Sequence, residues 1–229
     1  MKIGEFELKE PLPDLDAPHV IAMLSPWIDA GNVGSRTLRR LHRHLGANEL
    51  GKLARPGAFF DFTRYRPVMH SVAGKRVLNV PNTTISYAHR EEGTDLLLLH
   101  LLEPHSAAEE YIDSVVELLK TLGVRKYVRI GAMYDAVPHT RPLWVTGSNN
   151  GKPLEGISKV TAPRRGGGYQ GPTSIMNMVT GMLEDAGIEN ATLMVHLPQY
   201  LEIEDDFAGA ARAMEVLCNM YALPQELAD

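Results

Sequence analysis

Four stretches of the chain are apolar at nearly every position: His19-Val20-Ile21-Ala22-Met23-Leu24, Asp95 through Leu102 with its four consecutive leucines, Tyr127 through Met133, and Ala191 through Leu197. Strands apolar on both sides are buried on both faces, the usual state of a parallel sheet covered by helices. Between and after them the apolar spacing turns helical. From Ser106, the positions Ala108, Tyr111, Ile112, Val115, Leu119 and Leu122 form one stripe, Ser106 and Glu109 have capping-box spacing, and Gly123 supplies a stop. Thr173 to Ala186 repeats the design, with Pro172 and Thr173 at its start, Ile175, Met178, Val179, Met182 and Leu183 inward, and Gly187 at its end. A last helix opens at Asp205 or Asp206, carries Met214, Leu217, Cys218 and Tyr221, and is limited by Pro224. The pattern predicts an α/β fold with a mostly parallel central sheet.

Three shorter β-like runs, Arg66 to Val72, Lys75 to Val80 and Thr84 to His89, predict an antiparallel meander that extends the sheet, with Ala73-Gly74 as its first turn. The amino-terminal residues Met1 to Glu7 alternate apolar and charged side chains and predict a strand, not a signal peptide. Gly147 to Gly171 reads as a long irregular loop, the kind that in a compact domain is functional or mobile. Without a linker, repeat or low-complexity tract, one domain over residues 1–229 is the simplest organisation.

Composition narrows the setting. Hydrophobic residues make up 44% of the chain and charged ones 22%, and no apolar run approaches the ~20 residues of a membrane span. The single cysteine, Cys218, has no disulfide partner within the chain, which points to a reducing cytoplasm. A net charge of −5 argues against nucleic acid, whose binding rests on positive charge. The helical ridge of Arg36, Arg39, Arg40 and Arg43 is read as a solvated face or subunit contact.

The candidate chemistry gathers around the run Ser25 to Ser35, which places Trp27, Asp29, Gly31, Asn32 and Gly34 in a turn between a strand and a helix. If the four strands are parallel, their carboxyl ends also bring up Glu103, Tyr134, Asp135, Gln199 and Tyr200, along the edge where open α/β sheets bind ligands. In a binding reading Trp27 stacks on a ring, Asp29, Asn32 and Tyr200 fix polar groups, and Arg66 with the amides before Ser174 takes a phosphate or carboxylate. In the plainer reading Trp27 and Tyr200 cap the core, and Asp29 and Asp135 are turn or cap residues. Gly166 to Gly171 matches a dinucleotide-type glycine pattern but lacks the strand before it and the acidic residue after it. The nine histidines form no metal pair, His100 and His196 read as satisfied core histidines, and no standard hydrolase, kinase or metalloenzyme signature is present. No cofactor, metal or catalytic residue is implied.

Five pieces in order, Pro26-Trp27-Ile28-Asp29-Ala30-Gly31-Asn32, Phe60-Asp61-Phe62 with Arg66-Pro67, Gly131-Ala132, Tyr169-Gln170-Gly171-Pro172-Thr173-Ser174 and Pro198-Gln199-Tyr200, resemble the family named after proteasome assembly chaperone 2. The resemblance adds Asp61, Arg66, Tyr169, Thr173 and Ser174 to the ligand-binding candidates. It implies a three-layer α/β/α domain like the nucleoside phosphorylase and peptidyl hydrolase folds, and a homo-oligomer. Archaeal and eukaryotic members of the family help assemble proteasome rings. The implied function is a protein-interaction or assembly factor rather than an enzyme; the alternative is a nucleotide- or carboxylate-type small-molecule protein using the sheet-edge pocket. The carboxyl-terminal Glu226-Leu227-Ala228-Asp229 departs from the hydrophobic-tyrosine-any tail by which such chaperones dock.

Overall fold

A computed structural model describes residues 1–150, 152, 153, 160, 161 and 170–229. The amino-terminal alternation becomes a hairpin, β1 (Lys2–Ile3) and β2 (Phe6–Leu8). There follow β3 (His19–Ser25), α1 (Val33–His44), β4 (Asn48–Leu53), β5 (Val68–Val72), β6 (Lys75–Asn79), β7 (Thr84–Ala88), β8 (Leu96–Leu102) and α2 (Ala108–Thr121). The rest comprises β9 (Lys126–Asp135), β10 (Val145–Asn149), β11 (Lys152–Pro153), β12 (Val160–Thr161), α3 (Ile175–Asp185), β13 (Glu189–Pro198) and α4 (Phe207–Tyr221).

All but β5 and β6 join one sheet in the order β1-β2-β4-β7-β8-β3-β9-β13-β10-β11, with β12 beside β10. The four apolar strands β8, β3, β9 and β13 are its parallel centre. Their side chains alternate between two cores. Val20, Ala22 and Leu24 pack with Tyr111, Val115 and Val179 of α2 and α3, while Ile21 and Met23 pack with Leu38, Leu41, Met214 and Leu217 of α1 and α4. Helices therefore cover both faces of the centre, which is why these strands are apolar throughout.

The expectation of a mostly parallel sheet is corrected: antiparallel pairings outnumber parallel ones, because β1, β2, β4 and β7 flank one side and β10 and β11 the other. The half-exposed, bulged Asn48–Leu53 segment and the Gly- and Ser-containing β10 lack the continuous apolarity that marks central strands, so the pattern passes over both. The meander expectation is also corrected. Only β7 joins the sheet; β5 and β6 pair solely with each other among the described residues, and every residue of both is exposed. The capping box at Ser106 does not form either. Ala107 is the residue preceding α2, with φ 49°, and the Ser106 hydroxyl instead donates to the Ala58 carbonyl at 2.8 Å. The cap of α4 does form: Asp206 Oδ1 accepts from the Gly209 amide at 2.7 Å.

Candidate functional site

Since β8, β3, β9 and β13 run in one direction, Glu103, Trp27, Tyr134, Asp135, Gln199 and Tyr200 share their carboxyl edge. The Trp27 turn is seated on β9 through backbone contacts. The Ala132 amide donates to the Ile28 carbonyl at 2.8 Å, and a Cβ at Gly131 would lie 2.6 Å from that oxygen, so only glycine admits this approach.

Past Trp27 the turn serves the helix that follows. Asp29 is buried, and its carboxylate accepts from the Ser35 amide at 3.1 Å and the Ser35 hydroxyl at 2.5 Å. Burial pushes its pKa up, while the donors from Ser35 and Gly34 act against that shift. Gly34 packs so tightly that a Cβ there would meet Asp29 Oδ1 at 3.1 Å. Gly31 has φ 58°, and its carbonyl accepts from the Asp206 amide at 2.8 Å. Asn32, at φ 53°, donates from Nδ2 to the Glu204 carbonyl at 2.9 Å and to Asp205 Oδ1 at 3.2 Å. These four residues tie β3, α1 and the start of α4 together. For Asp29 the plainer reading, a cap residue, describes the geometry.

The side chains of Trp27, Asp29 and Tyr200 share an edge but not a pocket. Trp27, 55% exposed, lines a cavity of about 360 Å³ with Ile28, Ala132, Met133, Thr173 and Ser174. Tyr200 lies elsewhere on the edge: its hydroxyl accepts from the His139 amide at 2.9 Å and bonds His139 Nδ1 at 2.8 Å. Asp61 closes its own turn by accepting from the Thr63 amide and hydroxyl, both at 2.8 Å, and these donors hold its carboxyl below the usual range. Arg66 is exposed and does not line the Trp27 cavity. Thr173 accepts from Asn177 and Ser174 precedes α3, its side chain making no cap bond. Tyr169 and the glycine run 166–168 lie outside the described residues.

The cavity's strongest group is one the sequence reading missed. Arg129, set in the apolar strand β9, donates to Asn177 Oδ1 and, at 2.7 Å, to Thr192 Oγ1. Its Nε is buried without a hydrogen-bond partner, and no carboxylate forms an ion pair with it among the described residues. Burial disfavours its charge, which Glu184 supports from a distance. An arginine interrupting Tyr127-Val128-Arg129-Ile130 was the available signal.

His196 is satisfied as expected. Its Nδ1 lies 2.9 Å from Asp135 Oδ2 and its Nε2 2.9 Å from Thr146 Oγ1, so the ionised carboxylate places the proton on Nδ1 and Nε2 accepts from the hydroxyl. The order carboxylate, imidazole, hydroxyl is that of an activated nucleophile. Here Thr146 sits inside β10, paired with β13 on one side and β12 on the other, and the trio forms a part-buried network. His100 is not satisfied: its Nε2 is buried without a partner.

The family model described as the PAC2 family matches residues 23–229. Among solved structures, the chain is similar to a PAC2 family protein from Streptomyces avermitilis, at 25% identity over 92% of this chain and 89% of that one, with a TM-score of 0.78. A Mycobacterium tuberculosis protein of unknown function is 28% identical over the whole of this chain and 80% of its own, with a TM-score of 0.83. A Pyrococcus furiosus archaeal proteasome activator is 17% identical over 99% of this chain and 92% of its own, at a TM-score of 0.77, a likeness of fold. Among the curated proteins none matches.

Proposed function

Because the chain belongs to the PAC2 family, we propose that it is a non-enzymatic assembly or interaction factor of the proteasome-chaperone kind, working as a homo-oligomer. The observation that carries this reading is the β5–β6 hairpin. Val68, Met69, Val72, Val77 and Leu78 are 46% to 61% exposed on a two-stranded ribbon that no other strand pairs with among the described residues. An isolated hairpin is marginal in water, and a ribbon exposing apolar side chains on both faces, Met69 and Leu78 on one and Val68, Val72 and Val77 on the other, marks a segment that another protein covers. Lys75 and Arg76 beside its turn are basic on a chain of net charge −5, a complementarity that favours a second copy as the covering surface. The carboxyl-terminal residues are not needed for this contact: Leu227 packs on the core and the Glu226 carbonyl accepts from Arg40 at 3.2 Å.

Met69 and Leu78 face each other in the hairpin register. Replacing both by glutamate is expected to weaken self-association by about 100-fold or more, since central apolar anchors each carry on the order of 2 kcal/mol. Light scattering then gives the 25.3 kDa monomer for the variant and a multiple of that mass for the parent. A parent that is monomeric at tens of micromolar, or a variant of unchanged mass, refutes the reading. A single domain with helical layers on both faces, related to the phosphorylase and hydrolase class, is part of the same proposal; it is supported by one sheet that draws strands from β1 to β13 and by the two cores. The single cysteine, buried and free, supports a reducing cytoplasm. No helix among the described residues is long and apolar enough to cross a membrane.

The Trp27 cavity favours a second reading, a small carboxylate with an apolar body held by Arg129. Phenylacetate is expected to change Trp27 fluorescence saturably in a Trp144→Phe background, and Arg129→Met to abolish the change. An equal response to uncharged phenylacetamide counts against it.

A further inference from the structure

Beneath α1 the sheet changes character. On β7 and β8, Ile85 and Leu99 face the α2 core, while Thr84, Ser86 and His100 face α1, with Thr84 directly opposite His100 in the register. A sheet face under an amphipathic helix is ordinarily apolar, so three adjacent polar side chains there call for a partner. The helix does not supply one. It contributes Arg39, His42 and Arg43, which with those three and Ser35 and Leu38 line a cavity of about 210 Å³.

The four arginines of α1 divide into two pairs. Arg36 lies 2.9 Å from Asp205 and 3.8 Å over the Phe207 ring, and Arg40 donates to the Glu226 carbonyl. Arg39 and Arg43 make no hydrogen bond and no ion pair among the described residues, though both line the cavity. Two carboxylates feel Arg39 only at a distance: Asp29, committed to Ser35, and Asp205, paired with Arg36. On the sheet side, His100 Nε2 is shut off from solvent with nothing to bond. Positive charge and the polar side chains of the sheet thus border one partly open space, with the His100 ring in its wall and Nε2 on the ring's closed side.

We propose that this cavity binds a phosphoryl group, as free inorganic phosphate or the terminal phosphate of a small phosphomonoester, with Arg39 and Arg43 supplying the charge and His100, Thr84 and Ser86 donating from the sheet. Two guanidinium groups and three further donors ask for several acceptor oxygens and a charge near −2, which a phosphate offers and a carboxylate does not. The space is smaller than the ~300–1,000 Å³ pockets that enclose drug-sized ligands, so it takes an ion or a terminal group and leaves the rest of a larger ligand outside. Burial and Arg39 lower the His100 pKa to about 4, and a dianion beside the ring opposes both effects.

The test is calorimetric titration of the full chain with inorganic phosphate, phenyl phosphate and acetate, beside an NMR pH titration of the His100 ring. Saturable binding of inorganic phosphate is expected, with the His100 pKa rising by at least about one unit when phosphate is present. Phenyl phosphate binding as well assigns the terminal group of a monoester; its failure beside phosphate binding assigns the free ion. Arg39→Gln with Arg43→Gln, both at exposed positions that leave the fold intact, is expected to weaken phosphate binding by about tenfold or more. The proposal is overturned if phosphate shows no saturation by about 10 mM, if acetate binds as well as phosphate, or if the double variant keeps its affinity.

Discussion

Gly31→Ala is expected to destabilise the protein by about 3 kcal/mol, since a left-handed backbone costs an L-residue roughly 1–2 kcal/mol and overpacking a tight contact adds about 1–3. Both terms apply at this position. The residue has φ 58° and ψ 24°, and an added Cβ would stand 2.7 Å from Asp206 Cβ and 3.2 Å from Leu197 Cδ1. Asp206 cannot withdraw without cost, because its amide bonds the Gly31 carbonyl and its carboxylate caps α4. One methyl group therefore disturbs the turn, the cap and the packing of α4 together. Urea unfolding reads the change as a lower midpoint at unchanged slope. A midpoint equal to that of the parent would show that the turn relaxes freely, which the geometry does not allow.

The second large effect is on pH dependence. The His100 pKa falls from 6.5 to about 4 through burial first and Arg39 second, with His42 and Arg43 the other basic groups lining its cavity from α1. A histidine whose folded pKa is depressed binds fewer protons when folded than when unfolded between those values. Its contribution to stability is whole above pH 6.5 and is lost as pH falls towards 4, to a total of at most about 3 kcal/mol at 1.36 kcal/mol per unit. Other groups titrate near this window. Asp61, Asp95 and Asp205, held below 3.8, lose their contributions only at still lower pH, whereas Asp29 and Glu103, whose pKa values are raised, act in the opposite sense. The difference between the parent and His100→Gln isolates the imidazole. Between pH 7 and 4.5 the parent is expected to lose about 2–3 kcal/mol more than the variant. Parallel stability curves would contradict the buried, unpartnered ring.

What could be read in the chain follows from which forces are local. The strands now β3, β8, β9 and β13 were legible because burial on both faces demands apolar residues at every position, and their common direction placed Trp27 and Tyr200 on one edge. Flanking strands carry no such demand. β10, with glycine, serine and asparagine, resembles a loop because its partner β13 supplies the pairing. Likewise β5 and β6 were recognisable as strands, but alternation cannot say whether a hairpin joins a sheet or stands apart. Within the site, the run Pro26 to Asn32 is legible as a turn between a strand and a helix, yet the direction of each side chain depends on contacts made far along the chain. Asn32 turns to Glu204 and Asp205, and Tyr200 to His139. Arg129 is hidden by its neighbours: in a run read for apolarity, one charged residue passes as an interruption, although a half-buried guanidinium without a carboxylate ion pair among the described residues is the costlier and more informative feature.

If another copy of the chain covers the β5–β6 ribbon in solution, amide hydrogen exchange across residues 68–79 depends on protein concentration over a dilution series. Slow exchange in this segment at high protein concentration, becoming fast on dilution while the amides of β3 and β9 stay protected throughout, is the predicted result. Fast exchange of the ribbon at every concentration would contradict it.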